Sequence, residues 1–422
     1  MSKITAVRGF KDILPEETEK WHFVEEKARE VFATFGVKEL RVPILEKTEL
    51  FTRGIGETTD IVEKEMYTFR DRGNELLTLR PEATASVIRA YLEHNIHATE
   101  PVAKLYTIGP MFRRERPQKG RFRQFHQINV EMIGEKDPRV DAELMLMLVT
   151  FLSAVGLSDL KLEINSLGCP KCRPAFRETV IEFLNGKEEG LCEDCQRRLK
   201  TNPLRIFDCK VETCQTIINT APVVLDFICA ECRTHFEKVK AYLAMFDVFF
   251  AVNEKMVRGL DYYTHTAFEV ITESLGAQNA VAGGGRYDGL AKELGGDDIP
   301  GVGFAIGVER LISLLPLNDE DFSTAPHLFL AALGENAQQF AFGIMNQLRL
   351  SGIRAEMDYS DKSLKSQMRR SNKLRCRHTL IIGDRELEET KAPLRDMQTS
   401  EQKTIAIATA DTIIEELRNS GI

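Results

Sequence analysis

Apolar residues recur at helical spacing near the start of the chain and predict a first helix over residues 15–35. From residue 76 to residue 133 the pattern changes to apolar runs of strand length, with one helix between them at 83–94. A charged, helical stretch rich in cysteine follows at about 170–245, and strand patterns with glycine-rich turns return over 267–315. This order predicts a sheet-based domain that carries a helical insertion.

A polar segment with prolines at both ends, residues 316–326, predicts a linker. Beyond it strands and helices alternate, which is typical of a small α/β domain. We therefore expect two domains, one over residues 1–325 and one over residues 327–422. The chain contains no GxxxxGK[ST] phosphate loop, and the glycines at 301–307 have the wrong spacing for a dinucleotide site, so any bound ATP must be held in another way.

The net charge of −8 creates an overall field that repels phosphate, so a nucleic-acid partner requires a local basic patch. No apolar run approaches the roughly 20 residues that span a bilayer. The first twelve residues also lack the apolar segment of a secretory signal. We expect a cytoplasmic protein without a membrane association, in which the nine cysteines stay reduced.

The predicted strand RQFHQINVEMI has two different faces. Side chains alternate along a strand, so four residues share one face: Phe125, Gln127, Asn129 and Glu131. The opposite face is mostly apolar: His126, Ile128, Val130 and Met132. The polar face either meets solvent, which is the more common case for an isolated strand, or lines a polar pocket.

Six cations lie within eleven residues around the start of this strand: Arg113, Arg114, Arg116, Lys119, Arg121 and Arg123. Glu115 is the single acid among them, and Pro117 and Gly120 predict a turn. A charge run of this kind is usually a solvated hairpin. On an acidic chain, however, its self-repulsion favours an anion as partner, either a nucleotide phosphate or an RNA backbone.

Three further segments contain glycine beside groups that bind ligands. The first, VRGLDYYTHTAFEV (257–270), places an arginine and two tyrosines in a loop before a strand. In AGGGRYDGL (282–290) the glycines allow close backbone approach, and Tyr287 could close over a ligand. In GVGFAIGVERL (301–311), Arg310 lies in the first turn of a helix, where its charge opposes the helix dipole unless an anion lies between them. Each feature alone is also compatible with an ordinary turn.

In this order the segments resemble one family closely, the class II aminoacyl-tRNA synthetases in their histidyl form. The resemblance to motif 1 lies in LRVPILEKTELF, to motif 2 in FRRERPQKGRFRQFHQ and to motif 3 in GVGFAIGVERL. The two histidyl-specific signatures resemble the segments that begin at Met256, where the family has Leu, and at Ala282. LTLRPEATAS and RGFKDILPEE also fit, so the resemblance covers the whole chain.

The resemblance implies an α+β catalytic domain on an antiparallel sheet, with a helical insertion, and a C-terminal α/β anticodon-binding domain. It implies a homodimeric ligase that activates histidine with ATP and Mg²⁺ and transfers it to the 3′ end of tRNA(His). Glu82, Thr84 and Gln127 would hold the α-amino group of histidine. Glu131 and Tyr263 would flank the imidazole, with Tyr262 and Tyr287 lining the same pocket.

The resemblance also implies a set of ATP-binding residues: Arg113, Arg121, Phe125 and Arg310. Arg113 and Arg258 are the two residues expected to take part in catalysis, and Arg258 would contact both the histidine carboxylate and the α-phosphate. Arginine suits such sites because its planar fork matches carboxylate and phosphate oxygens. Three residues of the basic loop would contact tRNA: Arg116, Gln118 and Lys119.

Two other functions remain open at this point. A catalytically silent relative, such as the regulatory subunit of the phosphoribosyltransferase of histidine biosynthesis, would lack both the terminal α/β domain and the segment around Arg258. A plain RNA-binding module would leave the polar face with Gln127 and Glu131 without a purpose. Histidine-dependent exchange of pyrophosphate into ATP separates all three functions.

Eight cysteines fall between Cys169 and Cys232, while Cys376 stands apart and is expected to act as a small apolar residue. The pairs Cys169-x2-Cys172 and Cys192-x2-Cys195 are separated by nineteen residues, a usual spacing for a four-cysteine zinc site. The remaining four could form a second site: Cys209, Cys214, Cys229 and Cys232. Reduced thiols without metal are the alternative.

In the C-terminal domain four cations recur every fourth residue and predict one basic helix face: Lys365, Arg369, Lys373 and Arg377. Apolar residues lie on another face: Leu364, Met368 and Leu374. The basic face either contacts the anticodon stem-loop or is simply solvated.

Overall fold

The structure is a computed structural model, and it describes residues 3–56, 59–117, 120–275, 280–316 and 325–419. The chain divides into two compact units, residues 1–318 and residues 319–422. Within the described ranges, no helix is both long enough and apolar enough to cross a membrane.

The strands of the first unit are β1 Lys38–Glu39, β2 Leu45–Lys47, β3 Tyr67–Arg70, β4 Leu76–Leu79, β5 Ala103–Phe112, β6 Gln124–Ile133, β7 Lys161–Ser166, β8 Phe250–Val252, β9 Thr264–Ile271, β10 Ala280–Arg286 and β11 Gly301–Gly307. Its helices are α1 Pro15–Thr34, α2 Thr48–Ile55, α3 Thr84–Glu93, α4 Pro138–Ala154, α5 Arg173–Leu184, α6 Glu193–Thr201, α7 Glu212–Ile218, α8 Ala230–Met245, α9 Leu290–Glu293 and α10 Val308–Leu314.

Eight strands form one sheet in the order β1-β5-β6-β11-β10-β9-β7-β8. The strands from β5 to β7 pair in antiparallel fashion, while the short edge strands β1 and β8 pair in parallel. The antiparallel sheet expected from the resemblance is therefore present, and the remaining strands form a separate sheet, β2-β4-β3.

The apolar face of this sheet is covered by α1 and α4. Phe32 of α1 packs between Phe151 of α4 and Phe304 of β11, with ring centroids 5.6 and 6.3 Å apart. Val130 of β6 is fully buried in the same core. The opposite face of β6 is thus left for polar side chains, as the alternation along the strand predicts.

The insertion consists of α5 to α8, joined by short 3₁₀ turns. It has its own small core, in which buried cysteines lie among apolar residues such as Phe176, Val180 and Ile218. Its polar side chains also hold a loop of the main sheet: Asn202 donates to the Asp261 carboxylate at 2.9 Å, and Arg173 donates to the Asp261 carbonyl at 3.3 Å. The insertion therefore supports the segment that carries Arg258.

The second unit contains β12 Leu328–Ala332, β13 Ala355–Met357, β14 His378–Ile382, β15 Lys391–Asp396 and β16 Gln402–Ala406. Its helices are α11 Glu335–Leu350, α12 Leu364–Lys373, α13 Asp384–Glu389 and α14 Ala410–Asn419. The sheet order is β13-β12-β14-β15-β16, with parallel pairing of β12 to both neighbours and an antiparallel β15–β16 hairpin.

The prediction that four cations share one helix face is wrong for Arg377. The helix α12 ends at Lys373, and Arg375 adopts a left-handed conformation with φ 55°. The chain therefore turns before Arg377, whose backbone N–H donates to the Pro326 carbonyl at the start of the domain. Lys365, Arg369 and Lys373 remain on α12 and are exposed.

Candidate active site

A cavity of about 290 Å³ lies against the polar face of β6. Its walls come from β6, β10 and β11, from the start of α3, and from the loop over residues 258–263. It brings together most of the residues singled out from the sequence: Glu82, Thr84, Arg113, Arg121, Phe125, Gln127, Glu131, Arg258, Tyr262, Tyr263, Tyr287 and Arg310. The polar face of β6 thus lines a pocket and is not a solvated sheet surface.

Glu131 lines this cavity and is buried. We call the group formed by Glu131, Thr84 and Tyr287 the Glu131 end. The Thr84 hydroxyl donates to its Oε1 atom at 2.6 Å, and the Tyr287 hydroxyl donates to its Oε2 atom at 2.6 Å. Burial raises the pKa of the Glu131 carboxyl to about 8, against the two hydrogen bonds that favour its ionised form. Glu131 is therefore held in one orientation in a site with little water.

Glycines on the neighbouring strands make room for these side chains. Gly303 lies directly opposite Glu131 in the β6–β11 register, and a Cβ atom there would collide with the carboxylate. A Cβ atom at Gly301 would collide with the Tyr287 ring, and one at Gly283 would lie 2.7 Å from the Arg258 guanidinium. The glycines near these strands therefore serve the protein's own side chains as well as any close ligand approach.

Glu82 lies beside Glu131 and is also buried. Its carboxylate accepts hydrogen bonds from the backbone N–H groups of Thr84 and Ala85, at 2.8 and 2.9 Å, in the first turn of α3. Burial raises the pKa of the Glu82 carboxyl, while these two backbone donors act in the opposite direction. Glu82 thus fixes the start of α3 and, with it, the position of Thr84.

Two acceptor atoms in the cavity wall, besides the Arg258 Nε donor, have no hydrogen-bond partner within the described ranges. They are the Gln127 Oε1 atom and the Asn129 Oδ1 atom, both buried. Buried acceptors without partners cost free energy, so such positions usually receive a ligand or an ordered water molecule. These two acceptors lie on the same strand face as Glu131.

Arg258 lines the cavity and pairs with Glu269 of β9. Burial disfavours its charge, but Glu269, Tyr263 and Asp208 together outweigh this effect and raise the pKa of the guanidinium above its usual value. The guanidinium carbon lies 5.2 Å from the centroid of the Tyr263 ring. Glu269 was missed in the sequence because a glutamate in an alternating strand gives no sign of facing a pocket.

Three arginines that line the cavity form a second group, Arg113, Arg121 and Arg310, which we call the arginine end. The Arg113 Nε atom donates to the Pro81 carbonyl at 2.9 Å, and its guanidinium lies over the Phe125 ring at 5.4 Å. Arg121 pairs with Glu115 at 2.5 Å. Burial, followed by the positive charge of Arg121, lowers the pKa of Arg310. Glu115 offsets this cationic cluster only in part.

Of the predicted tRNA-contacting residues, Arg116 lies within the described ranges. Arg116 is exposed and lines a shallow depression beside Arg121, outside the cavity that holds Glu131. Gln118 and Lys119 lie outside the described residues. Their assignment stays a prediction.

The predicted grouping of the cysteines is wrong. Cys169 and Cys172 lie with Cys229 and Cys232, while Cys192 and Cys195 lie with Cys209 and Cys214. Sequence spacing favours a site made of cysteine pairs that are neighbours along the chain. The insertion instead brings its first and last segments together, because the start of α8 lies beside the start of α5. The second set comes from the segment between them in sequence.

Comparison with known proteins identifies the family. Residues 9–311 match the histidyl-tRNA synthetase family, and residues 327–417 match an anticodon binding domain. The chain belongs to the histidyl-tRNA synthetase family. A histidine–tRNA ligase of Geobacter sulfurreducens is 55% identical over 404 residues, which cover 96% of this chain and 97% of that protein. The relative from Syntrophotalea carbinolica is 53% identical, with 96% of both chains covered.

Solved structures give the same family. The crystal structure of the apo histidyl-tRNA synthetase of S. aureus superposes with a TM-score of 0.79 at 38% identity, covering 99% of this chain and 100% of that one. The expected class II synthetase fold with a C-terminal anticodon-binding domain is therefore confirmed. The predicted activity, that of a histidine–tRNA ligase, is confirmed as well.

Proposed function

We propose that the cavity binds histidine at its Glu131 end and ATP at its arginine end, so that histidyl-adenylate forms between them beside Arg258. One observation carries this assignment: a single cavity is lined both by an oriented, buried carboxyl and by a cluster of arginines.

The Glu131 end suits the imidazole because this ring has two polar nitrogens on opposite sides. Glu131 would accept a hydrogen bond from one N–H group, and Tyr263 would meet the other side of the ring. Thr84 and Tyr287 keep the carboxyl in place through hydrogen bonds of 2.6 Å. An apolar amino acid of similar size could not make the hydrogen bonds that Glu131 and Tyr263 offer the ring, so the site would bind it much more weakly than histidine.

The α-amino group would lie near Glu82, Thr84 and Gln127. The Gln127 Oε1 atom is a buried acceptor without a partner among the described residues, and an ammonium group supplies the missing donor. Glu82 adds a negative charge beside it.

The arginine end suits the phosphates of ATP because it holds more positive charge than its own acids neutralise. Arg113, Arg121 and Arg310 would contact the phosphate chain, with Mg²⁺ shared among its oxygens. The Phe125 ring, already covered by Arg113, would contribute to the ATP site.

In the reaction a histidine carboxylate oxygen attacks the α-phosphorus of ATP. The new oxygen–phosphorus bond forms as the bond to the β-phosphate bridging oxygen breaks, and pyrophosphate leaves. Both reactants are anions, so the enzyme must align them and neutralise charge more than it must supply covalent chemistry. Arg258 would contact the carboxylate and the α-phosphate together. A terminal ribose hydroxyl of tRNA(His) then attacks the carbonyl carbon, and AMP leaves.

We further propose that the enzyme works in the cytoplasm as a homodimer. The small sheet β2-β4-β3, which includes part of motif 1, exposes a set of large apolar side chains: Ile44, Leu45, Phe69 and Leu76. Leu45 and Phe69 share one face of this sheet, and exposed large apolar side chains on one face favour a protein interface. The second unit would bind the anticodon stem-loop.

Histidine-dependent exchange of pyrophosphate into ATP tests the proposed activation step. We expect exchange with histidine and Mg²⁺ and none with leucine or with Mg²⁺ omitted. Exchange that is absent would indicate a catalytically silent relative. Exchange without histidine would place another substrate in the cavity.

A further inference from the structure

The insertion contains two sets of four cysteines whose sulfur atoms lie close together. In each set all four Sγ atoms lie within 4.8 Å of one another. In the first set the Cys169–Cys172 and Cys229–Cys232 distances are both 3.5 Å, and Cys172 lies 3.8 Å from Cys232. In the second set Cys192 lies 3.8 Å from Cys209. We propose that each set binds one zinc ion, which gives two structural zinc sites in a nested arrangement, with the second set between the two halves of the first in sequence.

These distances match coordination by a single metal ion. Zinc lies about 2.3 Å from each thiolate in a tetrahedral site, which separates the sulfurs by roughly 3.8 Å. A disulfide would require sulfurs about 2.05 Å apart, far shorter than any of these separations. Four thiolates around one tetrahedral position favour zinc over the harder divalent ions, which prefer oxygen ligands.

The backbone around the cysteines also favours thiolates. The Cys229 N–H donates to the Cys172 sulfur at 3.1 Å, and the Cys192 N–H donates to the Cys214 sulfur at 3.2 Å. Ligands of a metal ion are usually held by hydrogen bonds of this kind. Cys172, Cys192 and Cys229 each precede the first residue of a helix, where the helix dipole favours negative charge.

A metal ion would compensate for the weak core of the insertion. Two of its helices have only nine and seven residues, and helices of that length are not stable alone. Five of the eight cysteines are buried in its small core, at positions where larger apolar side chains would otherwise supply more packing: Cys172, Cys195, Cys209, Cys214 and Cys232. Zinc binding joins segments far apart in sequence and contributes directly to folding free energy.

The two sites also lie beside contacts that support the cavity. Asp208, next to Cys209, pairs with Arg205 at 2.8 Å, and Arg205 donates to the Arg258 carbonyl at 3.0 Å. The Cys232 sulfur lies 3.6 Å from the His265 ring, two residues after Tyr263. The zinc sites would therefore hold the part of the insertion that faces the active-site loop.

Zinc content of protein purified without chelator decides the proposal. We expect two zinc ions per chain, and a cobalt-substituted protein with the visible bands of tetrahedral thiolate coordination. Zinc at or below one equivalent, iron in its place, or disulfides found by mass spectrometry would each overturn the assignment. Because the readout is metal content, these results leave the proposed activation chemistry unaffected.

Double substitutions distinguish this nested arrangement from the grouping of cysteine pairs that are neighbours in sequence. Cys169→Ser with Cys229→Ser should remove one zinc, because both residues belong to one site. Cys169→Ser with Cys192→Ser should remove both ions, because one ligand is lost from each site. If the first double variant instead loses both ions and the second loses one, the sequence-neighbour grouping is supported and the nested one is rejected. Cys376→Ser, in the second unit, is the control and should retain two ions. If a variant fails to fold, the metal content and cobalt spectrum of the unmodified chain still decide between two zinc sites and none.

Discussion

The two ends of the cavity are built on opposite electrostatic principles. At the Glu131 end, buried polar groups bind one another, as in the hydrogen bonds from Thr84 and Tyr287 to the carboxyl. At the arginine end, like charges lie close together, and the pKa of Arg310 falls because of burial and the neighbouring Arg121. The first end is organised before its ligand arrives. The second is electrostatically strained until an anion enters.

This difference shows how one site can select two unlike ligands. Recognition of a neutral or weakly charged ring depends on the geometry of fixed hydrogen-bond partners, because an unpaired buried group is costly. Recognition of a polyphosphate depends on the surplus of positive charge, which tolerates small changes in position better. Substitutions at the two ends should therefore weaken the binding of different ligands.

The largest effect is expected at Arg258, which we propose contacts both the histidine carboxylate and the α-phosphate. Arg258→Ala should slow adenylate formation by about 100- to 1000-fold, the usual consequence of losing one donor that acts in the transition state. The fold should persist, because Glu269 is partly exposed and can be solvated once the arginine is lost. Pyrophosphate exchange measures the rate, and circular dichroism checks the fold.

A matched control is Arg139→Ala. Arg139 is an exposed arginine whose partner, Asp137, is also near the surface, so its loss should leave exchange unchanged. Near-normal activation in the Arg258 variant would remove this residue from the chemistry.

A smaller effect is expected in the pH dependence of stability of the substrate-free enzyme. The folded-state pKa of Glu131, about 8, lies above its unfolded value, so the folded chain binds the extra proton between the two values. This stabilisation is complete below the unfolded pKa and is lost as the pH rises through about 8. The free energy of unfolding should therefore fall by about 1.4 kcal/mol per pH unit in this window relative to Glu131→Gln, which cannot ionise.

Melting curves of both proteins between pH 6 and pH 8 measure this difference. The exposed Glu335→Gln substitution serves as control and should follow the unmodified protein. Parallel pH dependence of the unmodified protein and the Glu131→Gln variant would contradict the assignment of a neutral Glu131 at rest.

The smallest effect is expected in the second unit. Replacing Lys365 and Arg369 on α12 with Gln should lower tRNA charging several-fold and leave pyrophosphate exchange unchanged. Each lost phosphate contact should also reduce the salt dependence of charging, by roughly 0.7 to 0.9 in the logarithmic slope. Arg385→Gln, on α13, is the matched control. Unchanged charging and salt dependence would indicate that the α12 face is only solvated.

Much of this architecture could be predicted because local patterns determine it. The first helix was expected over 15–35 and is found at Pro15–Thr34, and the alternation along β6 correctly separates its buried and cavity faces. The segments that resemble the family lie in one place because strand pairing brings β6, β10 and β11 together.

The parts that escaped prediction depend on contacts between distant segments. Strand register determines the Arg258–Glu269 pair and the fit of Gly303 against Glu131. The path of the insertion determines the nested cysteine sets. Sequence spacing carries no information on these. The end of α12 was missed for a local reason, since the left-handed turn at Arg375 does not follow from its residue type.

The most direct test of the account is a crossed measurement of Michaelis constants in pyrophosphate exchange. Glu131→Gln should raise the KM for histidine by about 10- to 100-fold, the equivalent of one hydrogen bond to a charged group, and leave the KM for ATP nearly unchanged. Arg310→Gln should raise the KM for ATP by a similar factor and leave that for histidine nearly unchanged. If both variants shift the two constants equally, or in the opposite sense, histidine and ATP do not occupy the ends assigned to them.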